Sequence, residues 1–106
     1  MTLREKQSRF VYMQSLLILH AYHMGYELTE GRGYASKEAN EADGGHPKSN
    51  HLNRLAKDFN LFKDGVLLTK TEDHKELGEY WELIGGTWGG RFNDGNHYSL
   101  EHNGVK

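Results

Sequence analysis

The sequence has no cysteine and a single proline, Pro47, among its 106 residues. The lack of cysteine excludes a disulfide framework and any zinc site built from thiolates. A metal ion would therefore have to be held by histidine, aspartate or glutamate. A cysteine-free chain folds in either a reducing or an oxidising compartment, so this composition does not locate the protein. The length suffices for one small domain, and we take residues 1–106 as a single domain.

The sequence also lacks an excess of basic residues and a long apolar run. Its 13 basic and 15 acidic residues give a formal charge of −2, and no basic stripe indicates a nucleic-acid partner. Residues 10–19 follow Arg4 and Lys6, as in a signal peptide. However, Gln14 and Ser15 interrupt this run, it is too short to span a bilayer, and no cleavage site follows. We therefore expect no signal peptide and no membrane insertion, and interpret the segment as a core helix.

Two helices are predicted from capping signals and apolar spacing. The first begins at Thr2, with Glu5 as its capping partner, and continues to about Met24. The second begins at Thr71 and continues to about Leu83. Their predicted buried faces consist of Phe10, Met13, Leu17, His20, Ala21 and Met24 in the first helix, and Leu77, Tyr80, Trp81 and Ile84 in the second.

Short strands are predicted between the helices and after the second one. They cover residues 26–29, 55–62, 66–68 and 97–100, and the sequence Lys63-Asp64-Gly65 predicts a hairpin turn. Residues 30–50 and 88–92 are predicted loops, the first of them long. The predicted fold is α+β, with two main helices packed on a small antiparallel sheet.

Histidine and aspartate residues near the predicted central and final strands suggest metal chemistry. His51, Asp58 and His97 supply two imidazoles and one carboxylate, and Asp94 lies three residues before the last of them. Three such ligands are typical of a catalytic zinc site that keeps one position open, and a nearby carboxylate suits a general base. Because such spacing alone carries little specificity, an alternative remains in which these side chains are purely structural.

The spacing of these residues predicts how they meet. Seven residues separate His51 from Asp58, so both can face one ion only if His51 lies in a turn before the strand. The turn dipeptide Gly95-Asn96 can bring Asp94 and His97 to one side. We expect Asp58 and His97 on neighbouring strands, which places the zinc site on the face of the sheet.

The other histidines are predicted to have no role as metal ligands. His20 and His23 are three residues apart on the first helix and are interpreted as ordinary helix residues. His46 is predicted to shape the entrance of the site, and His74 and His102 to lie on the surface.

Two segments resemble motifs of a known family. The segment Ser49-x-His51-x-x-Arg54-Leu55-Ala56-x-Asp58 resembles the Ser-x-His-x-x-Gly-x-Ala-x-Asp motif of the zinc D-alanyl-D-alanine carboxypeptidases. That family includes VanX- and VanY-type peptidases and the L-alanyl-D-glutamate peptidase endolysins of bacteriophages. The segment 88–98 is similar to the second motif of the family, in which an acidic residue precedes the last zinc ligand by three positions. The resemblance covers roughly residues 24–100 and is greatest to short phage-encoded members.

The resemblance implies a zinc metallopeptidase that acts on the peptide stem of peptidoglycan. His51, Asp58 and His97 would bind Zn²⁺, which lowers the pKa of water and polarises the scissile carbonyl. Asp94 would take the water proton and deliver it to the leaving amine. An L-alanyl-D-glutamate endopeptidase is favoured over a D-alanyl-D-alanine carboxypeptidase.

The resemblance also indicates candidates for substrate binding, although the chain departs from the family here. Many relatives carry an arginine after a Gly-Tyr pair, where this sequence has Ala35. Arg32, Arg54 and Arg91 are therefore the candidates for binding a substrate carboxylate, and Arg54 itself stands where the family has glycine. Ser49 is expected to orient the substrate or the site.

The short phage members suggest a biological role. They imply a phage or prophage lysis enzyme. Without a signal peptide it would accumulate in the host cytoplasm and reach the periplasm and cell wall after release by a holin. The sequence shows no extended apolar seam for a partner subunit, so we expect a monomer. The alternative is a non-catalytic, zinc-stabilised binding module with the same fold. Replacing Asp94 separates the two, because only an enzyme depends on a general base.

Overall fold

The computed structural model describes residues 1–45 and 47–106 and has an α+β architecture. In chain order its elements are α1 (Leu3–His23), β1 (Glu27–Glu30), α2 (Lys37–Ala42), β2 (Ala56–Lys63), β3 (Val66–Leu68), α3 (Lys75–Leu83), β4 (Thr87–Trp88) and β5 (His97–Ser99). Short 3-10 helices cover Thr71–His74 and Gly89–Phe92. The prediction of two main helices on a small antiparallel sheet is confirmed, with α1 and α3 as those helices.

Helix α1 begins as its sequence predicts. The Thr2 hydroxyl accepts the Glu5 N–H at 3.1 Å, and the Glu5 carboxylate accepts the Thr2 N–H at 2.9 Å. Gly25 follows the helix with a φ of 87°, a backbone conformation that favours glycine. Met24 is exposed rather than buried as predicted, because α1 ends at His23 and the chain turns away from the core at Gly25.

Strand β2 is the centre of the sheet, whose order is β1-β2-β5-β4 with β3 also paired to β2. One edge of β2 contacts β1 and the residues that follow it, since the Asp58 N–H donates to the Arg32 carbonyl at 2.7 Å. The other edge pairs with β5 over Ala56–Asp58 and with β3 over Leu61–Lys63. Two strands therefore lie end to end along the same edge of β2.

The hydrophobic core lies between one face of the sheet and the two main helices. The Phe10 ring of α1 meets the Trp81 ring of α3 edge-on at 5.7 Å. The buried core residues are Phe10, Met13, Leu17, Ala21, Leu55, Phe59, Leu61, Leu77, Trp81, Trp88 and Tyr98. Because side chains alternate along a strand, the burial of Phe59 and Tyr98 on this side turns Asp58 and His97 to the opposite face.

Two predicted loops contain regular structure. Within residues 30–50 the chain forms α2, whose N-terminus is capped by the Ser36 hydroxyl accepting the Ala39 N–H at 3.1 Å. Within residues 88–92, Trp88 belongs to β4 and pairs with Tyr98, and a 3-10 helix follows. The loop predictions were wrong at these positions because neither element is long enough to show an apolar period.

The second main helix begins later than predicted. A 3-10 helix occupies Thr71–His74, and α3 starts at Lys75. Thr71 does not cap it, because the Thr71 hydroxyl instead accepts the Gly95 N–H at 3.2 Å. The Asp73 carboxylate takes the capping role and accepts the Lys70 N–H at 3.0 Å. Thr71 thus joins the start of this helical segment to the loop that precedes β5.

Among the described residues, no helix combines the length and apolar character needed to cross a lipid bilayer.

Candidate metal centre and active site

Three predicted ligands converge on the face of the sheet that points away from the helices. Asp58 of β2 and His97 of β5 are direct partners in the antiparallel register, so their side chains share that face. The Asp58 Oδ1 atom lies 3.3 Å from His97 Nδ1 and 3.3 Å from His51 Nε2. One ligand atom from each residue lies within 4.8 Å of the other two. The sheet register and one turn therefore assemble the predicted cluster.

His51 reaches the sheet from a turn, as the spacing predicted. Ser49 begins this turn, and its hydroxyl accepts the His51 N–H at 3.2 Å. The His51 Nδ1 atom lies 2.7 Å from the Gly33 carbonyl oxygen. A carbonyl can only accept, so Nδ1 carries a hydrogen, and Nε2 is the nitrogen that faces Asp58 and can bind either a proton or a metal ion. The Gly33 carbonyl thus fixes the tautomer of His51 that a metal ion requires.

The donor set fits zinc in its chemistry and in two of its three separations. Neutral imidazoles and a carboxylate are common zinc ligands, and in a tetrahedral site their donor atoms lie about 3.3 Å from one another. The two separations between Asp58 and the histidines have that length. The His97 Nε2 atom, in contrast, is buried and has no hydrogen-bond partner in residues 1–45 and 47–106. The Nδ1 atom of His97, which faces Asp58, is therefore the nitrogen that would bind a metal ion held by the three residues.

The electrostatics of the cluster keep the carboxylate ionised. Burial by itself would raise the pKa of Asp58, but hydrogen bonds and charge from His51 and His97 outweigh it and lower the pKa to about 2. Burial would likewise lower the pKa of His51, but its bonds to Asp58 and to the Gly33 carbonyl raise it above the ordinary value. Protonated His51 and ionised Asp58 therefore stabilise each other, and a bound cation would replace that proton.

Asp94 is held beside the cluster by its backbone. The His97 N–H donates to the Asp94 carbonyl at 3.1 Å, which closes the predicted turn, and the Asp94 N–H donates to the Gly89 carbonyl at 2.9 Å. The Asp94 side chain is exposed, yet partial burial raises its pKa above the ordinary value. His97 and His51 oppose this rise and the Asp58 carboxylate adds to it, so Asp94 is close enough to respond to all three.

Gly95 connects the loop before β5 to two other segments of the chain through hydrogen bonds. Its carbonyl accepts the Trp88 indole N–H at 2.8 Å, and its N–H donates to Thr71. A Cβ atom at Gly95 would come within 2.5 Å of the Thr71 Cα atom, so the two segments touch through backbone. The position of Asp94 is thus set by packing and not only by its own turn.

The three arginines predicted to bind substrate have other partners. Arg32 forms an ion pair with Asp43 at 2.6 Å, and Arg91 forms two hydrogen bonds with Glu82 at 3.0 and 2.7 Å. The Arg54 guanidinium lies 4.1 Å from the centre of the Tyr34 ring. None of these contacts was evident from the sequence, because each partner is separated from its arginine by nine or more residues.

Two histidines predicted on the surface are not fully exposed. His74 is buried, and its Nδ1 atom lies 2.9 Å from the Tyr98 hydroxyl. His102 is half-buried, with its Nδ1 atom 3.0 Å from the Lys6 amine. On α1, the His20 ring stacks on Tyr80, and among the described residues it belongs to no group of three potential metal ligands. The prediction for His46 falls outside the described residues.

A scan against protein families matches residues 42–100 to the peptidase family described as D-alanyl-D-alanine carboxypeptidase. This match covers more than half of the chain and contains all three residues of the cluster. The chain belongs to this family. Its members are metallopeptidases that act on peptidoglycan peptides, so the chain is a metallopeptidase. The resemblance predicted from the two sequence motifs is thereby confirmed.

Solved structures share the fold. The L-Ala D-Glu endopeptidase ChiX of Serratia marcescens superposes with a TM-score of 0.69 at 19% identity, over 89% of this chain and 79% of that one. A variant of the vancomycin-resistance D,D-pentapeptidase VanY, in complex with Zn(II), superposes with a TM-score of 0.62 at 20% identity, over 87% and 70%. No significant match was found among curated proteins. At these identities the likeness to solved structures concerns the fold.

Proposed function

We propose that the chain hydrolyses the peptide stem of bacterial peptidoglycan, with Zn²⁺ held by His51, Asp58 and His97 and with Asp94 as general base. The convergence of three ligand atoms beside a carboxylate of raised pKa carries this proposal. Zinc in such a site supplies Lewis-acid chemistry, by polarising a carbonyl and lowering the pKa of water. The remaining roles belong to side chains of this chain.

Asp94 suits proton transfer because of its pKa and its anchoring. A general base works best when its pKa lies near the working pH, and burial raises that of Asp94 in this direction. Its carboxylate accepts the proton of the attacking water and returns it to the amine that leaves. The contacts of Gly95 with Trp88 and Thr71 hold it in place during both transfers.

His51 and Ser49 have a positioning role in this proposal. The Gly33 carbonyl holds the hydrogen on His51 Nδ1, and the Ser49 hydroxyl holds the His51 N–H. Such outer contacts orient a metal-binding imidazole and typically change metal affinity about 10- to 100-fold when they are removed. We therefore propose that Ser49 acts on the site by orienting His51, and we assign it no direct contact with the substrate.

The bond between L-alanine and D-glutamate is our favoured target. The superposition on ChiX, an L-Ala D-Glu endopeptidase, has a higher TM-score than that on VanY. The family description instead refers to D-alanyl-D-alanine carboxypeptidase, which is the competing reaction. Both reactions use the same set of ligands and base, so the choice depends on the groove that holds the peptide.

Digestion of purified peptidoglycan by the zinc-loaded protein, with and without chelator, tests the proposal. Mass spectrometry of the products identifies the bond. Chelator-sensitive release of fragments with a free D-glutamate amino terminus supports the endopeptidase, and loss of terminal D-alanine supports the carboxypeptidase. Absence of product from a protein with zinc bound would refute hydrolysis of this substrate.

Replacing Asp94 with asparagine tests its role and separates an enzyme from a binding module. We expect kcat/KM to fall by about 10²- to 10⁴-fold while zinc content stays stoichiometric, because Asp94 transfers protons and does not bind the metal. Asp64→Asn is the matched control, since Asp64 lies in the β2–β3 turn at a φ of 52°, which asparagine tolerates. Equal, measurable turnover by both proteins would contradict the role of Asp94 as general base, whereas no turnover by either protein with zinc bound would favour the non-catalytic module.

We further propose that the enzyme is a monomer with a lytic role in a phage or prophage, released to the wall by a holin. The resemblance to short phage members motivates this role. Expression in bacteria with and without an added export signal tests it: lysis only after export, lost in Asp94→Asn, supports it. Exported active enzyme that leaves cells intact would contradict it. Sedimentation of the purified protein checks the monomer.

A further inference from the structure

A recess adjoins Asp94 at the point where one edge of β2 stops pairing with β5 and begins pairing with β3. Strands β5 and β3 pair with different halves of the same edge of β2, and Phe59 and Asn60 lie between the two paired segments. The gap opens into a cavity of about 290 Å³, which we name the β3–β5 recess. Its walls include Phe59, Asn60, Leu67, Leu68, Lys70 and Asp94.

Lys70 is the single lysine or arginine among the residues that line this recess. It is exposed and forms no ion pair within the described parts of the chain. His74 also lines the recess, but burial lowers its pKa, which leaves it neutral at neutral pH. The permanent positive charge at this recess therefore comes from Lys70.

Lys70 and Asp94 lie near each other because the residues that follow them in the chain are in contact. Their chain neighbours Thr71 and Gly95 touch, with the Thr71 hydroxyl accepting the Gly95 N–H. Because consecutive Cα atoms lie about 3.8 Å apart, the Cα atoms of Lys70 and Asp94 are no more than about 12 Å apart. Because a lysine side chain can cover about half of that span and both residues line the recess, the Lys70 amine can approach the Asp94 carboxylate.

The two candidate reactions share one chemical feature on the leaving side. In an L-Ala–D-Glu substrate that continues through the glutamate side chain, the α-carboxylate of the glutamate is free. In D-Ala–D-Ala the terminal residue ends in a carboxylate. In both substrates the carboxylate is on the carbon next to the scissile nitrogen. A cation near the leaving amine would therefore recognise either one.

We propose that Lys70 binds this carboxylate in the β3–β5 recess and so takes the role expected of an arginine. The inference rests on the proposed peptidase function. Arg32 and Arg91 are engaged with Asp43 and Glu82, whereas Lys70 lines the recess next to the general base. The apolar wall formed by Phe59, Leu67 and Leu68 suits the aliphatic part of the same residue.

The test compares a stem peptide that carries the free carboxylate with the same peptide in which this group is a carboxamide. For Lys70→Met we expect KM for the free form to rise by about fivefold with little change in kcat, the scale of a partly exposed ion pair. The amidated peptide should show no such change. Lys75→Met is the matched control, since Lys75 is an exposed lysine five residues later that does not line the recess.

A binding measurement keeps the inference separate from turnover. Binding of both uncleaved peptides to Asp94→Asn and to Asp94→Asn combined with Lys70→Met, by calorimetry, should show the same fivefold, carboxylate-dependent difference. An equal effect on both peptides, or an effect matched by Lys75→Met, would overturn the role of Lys70 while leaving the peptidase intact. If wild type cleaves neither peptide, the proposed function fails, and the binding difference alone decides whether Lys70 recognises a carboxylate.

Discussion

The two halves of the metal centre are built in different ways. Asp58 and His97 come from paired strands, so their separation follows from the sheet register. His51 comes from a turn and depends on Ser49 and on the distant Gly33 carbonyl for its orientation. The strand-built half is therefore rigid through backbone pairing, whereas the turn-built half is held by single hydrogen bonds.

The largest expected effect comes from removing Asp58, the strand residue that contacts both histidines of the centre. Asp58→Ala leaves two imidazoles without the carboxylate that lies 3.3 Å from each of them. We expect zinc to be lost on dialysis and activity to fall further than the roughly 10²- to 10⁴-fold expected for loss of the base. Metal analysis and peptide hydrolysis check this prediction, with Glu27→Ala on exposed β1 as the control carboxylate. Retention of full zinc would contradict the assigned ligand set.

The electrostatic link between the two halves should appear as pH dependence of the metal-free protein. The lowered pKa of Asp58 stabilises the fold above its ordinary value of 3.8, and this contribution is lost as pH falls toward 2. The raised pKa of His51 stabilises the fold below its ordinary value of 6.5, and this contribution is lost as pH rises through the raised value. We expect the free energy of unfolding to be greatest between about pH 4 and 6.5.

On the acid side the expected loss is on the order of 2 kcal/mol, since one pKa unit corresponds to about 1.4 kcal/mol. Urea unfolding of the metal-free protein between pH 2 and pH 8 measures the curve. The Asp58→Asn variant should flatten both limbs, because Asp58 is the partner of His51 and His97. An unchanged curve for this variant would show that the stability has another origin.

The smallest expected effect lies at the end of the His51 turn. Arg54 adopts a φ of 58°, which explains why the family motif has glycine at this position. Arg54→Gly should be more stable than Arg54→Ala by about 1 kcal/mol, because both lose the contact with Tyr34 but only alanine keeps the strain. Thermal unfolding of the two variants checks this. Equal stability would mean that the turn relaxes when the guanidinium is removed.

The parts of the structure that the sequence predicts are those determined locally. The odd spacing of His51 and Asp58 predicted a turn, and the hairpin signal Asp64-Gly65 predicted the β2–β3 connection; both are observed. The proximity of Asp58 and His97 followed from placing both on neighbouring strands. The family motifs supplied the remaining assignment of roles.

The parts that the sequence does not reveal depend on distant partners. His74 is buried by Tyr98, which is 24 residues away, and no local pattern distinguishes it from a surface histidine. The Thr71 hydroxyl accepts the N–H of Gly95, also 24 residues away, and therefore does not cap the helix that follows it. Helix α2 has one buried residue, Asn40, and therefore lacks the apolar stripe that identifies a helix.

The end-to-end arrangement of β3 and β5 separates the wall of the β3–β5 recess from the strand pairing that holds two of the proposed metal ligands. The proposed metal ligands Asp58 and His97 belong to the β2–β5 pairing, whereas Leu67 and Leu68 belong to β3 on the other half of the same edge, and Lys70 follows that strand. Residues 63–70, which connect β2 to β3 and continue past β3, contain none of the proposed ligands. A change in this hairpin would therefore alter the wall of the β3–β5 recess beside Asp94, while the register that places Asp58 opposite His97 would stay the same.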